Sequence, residues 1–220
     1  MDLTVALTAP LLRQLGMGLA VLALALALWR APWWWLRQPG SAHVLGGATV
    51  ILLMLWQLRA GIGAGPWLHL LGATVLTLMF SWHFALLAIA SLLAAGLLRG
   101  HGDLASWGLN LCVMGVLPVA LSYRLARLVE RRLAPNFFVY VFVSAFLGAA
   151  LVVACVTAAG ALVALASGIT AEHALGNYLP SSVLIVFPEA FATGACMTLA
   201  VVYRPHWVVS FDDRRYLDGR

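Results

Sequence analysis

Between Arg59 and Arg99 the chain carries no Asp, Glu, Lys or Arg. Within that interval, residues 66–98 drawn out as an α-helix at about 1.5 Å per residue would reach roughly 50 Å. A bilayer hydrocarbon core is only about 30 Å thick. The run is too long for one crossing, so we cut it near Ser81-Trp82 into two rather short helices. Apolar runs of spanning length recur at residues 11–29, 42–58, 104–128, 137–166 and 181–203. The expected fold is therefore all-α, a polytopic membrane bundle of about seven transmembrane helices. Residues 1–205 are expected to form the bundle and 206–220 a cytoplasmic tail. Composition agrees: 63% of residues are hydrophobic and 10% charged, where soluble proteins average about 25% charged.

Arginine placement sets the orientation. Arg30, Arg37, Arg124, Arg127, Arg131, Arg132, Arg204, Arg214, Arg215 and Arg220 fall on connections of one side, and only Arg13, Arg59 and Arg99 on the other. The positive-inside rule then puts the N-terminus outside and the C-terminus in the cytoplasm of a cell inner (plasma) membrane. The first apolar segment begins Met1-Asp2, lacks a basic start and is followed by "WRAPWWWLRQPG", an aromatic and arginine anchor. It is expected to be a real helix and not a signal peptide.

The chain has no lysine. A P-loop ATPase needs the lysine of GxxxxGK[ST] on its phosphates, and a retinal protein needs a lysine Schiff base, so neither function is open to it. Cys112, Cys155 and Cys196 are isolated in apolar runs without CxxC spacing and read as small buried side chains. The net charge of +5 comes from arginines that set orientation, with no implication of nucleic acid.

The remaining polar groups sort by side. His69, His101, His173 beside Glu172, Asp103, Asp2 and the Met1 amine fall on the outer side. His43, His83 and His206 fall on the cytoplasmic side. Imidazole, carboxylate and amine are the ligand types of borderline divalent metals: nickel, cobalt, zinc and copper(II). Each histidine taken alone is more often an interface residue than a ligand, and Glu172 and His173, in "SGITAEHALGNYLPSS", read as solvated loop residues. His69 stands apart because it opens an apolar helix, where a polar group needs a partner. Asn110 lies early in the fifth helix. Glu189 lies roughly 12 Å along the seventh. It has two readings: a functional carboxylate, or a structural one that is protonated or hydrogen-bonded to Asn110, Gln57 or a helix end. Small residues including Gly108, Gly115, Gly148, Gly160 and Gly194 read as close helix packing.

The segment "LHLLGATVLTLMFSWHFALLAIASLLAAGLLRGHGDLASWGLN" and the last helix "PEAFATGACMTLAVVYRP" resemble the CbiM/NikM family, the substrate-specific membrane subunits of cobalt and nickel energy-coupling-factor transporters. The resemblance is distant and spans nearly the whole chain. It implies a metal site made by the N-terminal amine, a histidine at position two and a histidine leading the third helix. Those positions here are Met1, Asp2 and His69. The second-position histidine is replaced by Asp2, an oxygen ligand that is harder and weaker than imidazole, so nickel or cobalt selectivity does not carry over. The turn from Arg99 to Asn110 resembles the family's outer lid, and His101 is a candidate substitute for the lost imidazole. Asp103, Asn110 and Glu189 are candidates for supporting the pocket.

The expected function is a substrate-binding membrane subunit for uptake of a divalent transition metal. That ion is substrate, and no cofactor is bound permanently. The expected partners are the lipid bilayer, a transmembrane coupling subunit and cytoplasmic ATPases on other chains, and not nucleic acid. No enzyme motif is present: there is no HExxH and no serine-nucleophile signature. Two alternatives remain at this level. One is a stand-alone metal permease or metal-binding membrane protein; the other is a haem-binding membrane protein using facing histidines.

Overall fold

The computed structural model describes residues 3–59 and 68–211. Met1, Asp2, the beginning of the long apolar run and the last residues of the tail lie outside the described residues. After a 3₁₀ turn at Val5–Leu7, the helices are α1 (Pro10–Arg30), α2 (Ser41–Leu55), α3 (Ala73–Leu98), α4 (Leu104–Arg132), α5 (Val139–Ala166) and α6 (Ala171–Tyr203). Five of them are long and apolar enough to cross a membrane; α2 is a shorter apolar helix.

Local sequence explains the ends. Pro10 opens α1 at a position where its missing N–H is not needed, and Pro32 follows the end of α1 closely. The Thr170 hydroxyl accepts the N–H of His173, and Glu172 sits in the first turn of α6. That capping corrects the expected loop. Glu172 and His173 are exposed, but they belong to a helix that begins at Ala171 and not near Ser181. Pro180 and Pro188 lie inside α6 without ending it. In α4 the backbone widens to a π-turn at Cys112–Val116, just ahead of Pro118.

The helices pack through small residues. A Cβ on Gly16 would stand 2.7 Å from the backbone of Leu109, and one on Gly108 would meet the backbone of Met17. At this crossing α1 and α4 touch backbone to backbone, as helices without a hydrophobic driving force between them must. Leu15, Leu19 and Leu22 of α1, and Phe187 and Phe191 of α6, point outward and are exposed. On helices of spanning length such a face meets acyl chains.

The cut expected near Ser81 is present. Ser81 has φ 73° and ψ 164°, a non-helical conformation inside α3. The two halves run in opposite directions. Residues 73–80 follow α4 from Ser122, bonded to Thr74 at 2.9 Å, toward Tyr123, Ala126 and Arg127, which share a small cavity with Thr77 and Ser81. Residues 82–98 instead climb back past Gly115, beside Leu86 and Ile89, to the turn before α4. The break leaves carbonyls without helical partners, and the segment after α6 supplies them. Val209 N–H donates to the Met79 carbonyl at 3.0 Å, and Ser210 donates to the Leu78 carbonyl from both its N–H (3.2 Å) and its hydroxyl (2.7 Å). Counting the halves of α3 separately, and leaving aside the single helical turn Trp33–Leu36, the described residues hold seven helices.

Candidate metal centre

His69 does not open a helix, which corrects the expectation. The helix begins at Ala73, because Gly72 takes a left-handed conformation (φ 68°) and stops helical backbone from extending toward His69. Residues 68–71 therefore form a non-helical strand buried in the bundle, with His69 only 2% exposed. The imidazole lies against the Trp56 indole with ring centroids 4.4 Å apart. Its Nδ1 donates to the carbonyl of Leu70 at 3.1 Å. Non-helical backbone buried among apolar helices must have its N–H groups met by protein, and Glu189 meets two of them here. Its Oε2 accepts the N–H of Leu71 at 2.6 Å and its Oε1 that of Gly72 at 2.7 Å. Of the two readings of Glu189, the helix-end partner is the one found.

Asn110, 5% exposed, makes a paired bond with the N-terminal strand. Its Oδ1 accepts Leu3 N–H at 2.8 Å and its Nδ2 donates to Leu3 C=O at 3.0 Å. Asp103 accepts the N–H of Val5 at 3.3 Å, and Ser167 accepts that of Ala9 at 2.9 Å. Asp103 and Asn110 thus hold Leu3 and Val5, and Leu3 is 1% exposed. His101 itself is exposed in the turn from Arg99 to Asn110, between Gly100 and Gly102, both at positive φ. Its N–H bonds the Gly96 carbonyl at 2.9 Å.

Among the described residues no group of three or more His, Cys, Asp or Glu side chains comes together as a metal cluster. The structure therefore does not gather His69, His101 and His173 into one histidine site. Met1 and Asp2 lie outside the described residues. Sequence reasoning did not single out Trp56, which shapes the His69 face, or Ser167. An aromatic at the end of one apolar run gives no spacing signal toward a histidine further along the chain. On the α6 side a cavity of about 920 Å³ opens between α2, residues 72–79 and the second half of α6. Its lining is overwhelmingly apolar, with Glu189 and Gly72 among the residues that border it and His43 and Arg204 near the end of α6.

A bundle with five helices long and apolar enough to cross a membrane, holding a buried histidine on a non-helical segment, has the architecture of a polytopic membrane protein. The model of the family described as the cobalt uptake substrate-specific transmembrane region, CbiM, matches residues 11–207, and the chain belongs to that family. It is the substrate-specific transmembrane component of a transition-metal uptake system, and a multi-pass membrane protein. Two crystal structures are similar in fold. One, of a truncated transition metal transporter, has a TM-score of 0.75 at 17% identity, covering 92% of this chain and 99% of that one. Another, of a transition metal transporter, has a TM-score of 0.73 at 17% identity, covering 90% and 91%. A search of curated proteins gave no significant match. Family membership favours transport over the haem reading.

Proposed function

We propose that the chain captures a divalent transition metal at the outer face with the Met1 amine, Asp2 and His69, and with His101 as a secondary ligand. The observation that carries this reading is the clamp of Asn110 on Leu3. It ties Leu3, next in sequence to Asp2, into the protein interior by two side-chain bonds, and Asp103 adds a third at Val5. A flexible terminus would lose much of its binding energy to ordering, and a pre-fixed one does not. At His69 the donation from Nδ1 to Leu70 sets the tautomer that presents Nε2 as the ligating nitrogen. With Asp2 in place of histidine, the ion can be nickel, cobalt, zinc or copper.

In this reading seven helices cross the membrane with the N-terminus outside, and residues 206–220 form a cytoplasmic tail. A transmembrane coupling subunit and cytoplasmic ATPases on other chains drive release, since this sequence has no nucleotide motif. A lone permease would take up metal without those partners. The test is titration calorimetry with nickel(II) and cobalt(II) on the purified chain bearing its native N-terminus, beside a version extended by one residue and His69→Ala. Both variants should lose most binding. Parental affinity in the extended version would remove the N-terminus from the site, and parental affinity in His69→Ala would remove the histidine.

A further inference from the structure

We infer that Glu189 is a positioning residue for metal capture: from α6 it holds the strand carrying His69 in its ligating geometry, and it is not itself a ligand. The inference rests on the proposed role of His69 and adds the element that fixes it.

The backbone makes the demand. Leu71 and Gly72 precede the first turn of α3, so neither N–H has a helical partner, and Gly72 has no side chain to cap that helix. Two adjacent N–H groups buried among apolar side chains would be costly to leave without acceptors. The carboxylate meets both at once, one oxygen each, at 2.6 and 2.7 Å. Both donors also stand at the positive end of the 73–80 half-helix. Glu189 is 2% exposed, in the middle of α6 and directly after Pro188, where the helical ladder is already interrupted.

The strand is held on its other side as well. The imidazole rests on Trp56, and a Cβ on Gly72 would stand 2.6 Å from a methyl of Leu52. His69 is three residues from Gly72, so the strand between α2 and α6 has little freedom once the carboxylate is in place. Both oxygens of Glu189 are occupied by backbone, which argues against direct ligation. A supporting group that orients a metal ligand typically accounts for 10–100-fold in affinity.

The experiment is a double-mutant cycle read by nickel(II) titration on the full chain with its native N-terminus. Glu189→Gln keeps one acceptor oxygen but sets an NH₂ against the second N–H. It should weaken nickel binding at least about tenfold. In the His69→Ala background, where only weak residual binding remains, the same substitution should change affinity less than about twofold. Equal losses in both backgrounds would mean that Glu189 supports the fold generally, and an unchanged affinity in the first would mean that the clamp does not matter; either overturns the inference. His69→Ala alone tests the underlying reading, so the two failures are separable. Hydrogen exchange on the unsubstituted, metal-free chain keeps the idea testable if Glu189→Gln does not fold. The Leu71 and Gly72 amides should exchange as slowly as those inside α3, and fast exchange at both would overturn the clamp.

Discussion

Asn110 and Asp2 show how single side chains bear on the metal site from different directions. The Asn110 amide has an oxygen that accepts and a nitrogen that donates side by side, as its pair with the N–H and C=O of Leu3 requires. Asn110→Ala should lower stability by about 1–3 kcal/mol through the stranded Leu3 groups, and should weaken nickel binding as the N-terminal strand loosens. Thermal melts and titration on one preparation check both, and an unchanged affinity would detach the strand from the site. Asp2→His should tighten nickel and copper(II) binding, because imidazole is a better match than carboxylate for these ions. Among histidines, His101→Ala should give a partial loss and His83→Ala none. His83 bonds the hydroxyl of Ser81 and stacks on Trp82 at the break in α3.

At the scale of elements, the break in α3 organises the bundle. Ser81 occupies a backbone region that is nearly glycine-only and costs roughly 1–3 kcal/mol in other residues. Ser81→Gly should therefore raise the melting temperature, and Ser81→Val should lower it. The carbonyls exposed by the break are covered by the segment after α6, where Ser210 also bonds the Tyr140 hydroxyl at 2.7 Å. Ser210→Ala removes side-chain bonds to Leu78 and Tyr140 together, for an expected loss of about 1–2 kcal/mol. A melting temperature equal to the parent would show that the tail segment does not brace α3. That the long uncharged run is broken was legible in the sequence, since it is too long for a single crossing. The conformation of Ser81, and its cover by Val209 and Ser210, were not, because they depend on residues far along the chain.

For the whole molecule the consequence is topology. With His101 and the N-terminal strand at one end and the Arg-rich end of α4 at the other, a cysteine at position 101 should be labelled only from outside. One at position 213 should be labelled only from the cytoplasm, in a background free of Cys112, Cys155 and Cys196. Labelling of position 101 from the cytoplasmic side alone would invert the orientation and move the proposed site to the wrong face. Cells making this chain should accumulate metal only when a coupling subunit and its ATPases are made with it; accumulation by the chain alone would favour the permease.

The class of the molecule was decided by sequence alone: apolar run lengths are local properties, and they already require an all-α, multi-pass membrane bundle. The sequence also pointed to His69, Asn110 and Glu189, because a polar group within an apolar run is conspicuous wherever the chain folds. It misplaced the beginning of α6, where Pro180 and a polar stretch resembled a loop until Thr170 capped a helix ahead of them. It also put His69 on a helix, since four apolar neighbours carry no sign that Gly72 turns left-handed after them. Tertiary structure alone decided what the polar residues hold. Glu189 meets amides at Leu71 and Gly72, and Asn110 meets Leu3, across more than a hundred residues of chain. Partners at that separation are chosen by which backbone groups the packed helices leave unsatisfied, and that demand exists only once the bundle has formed.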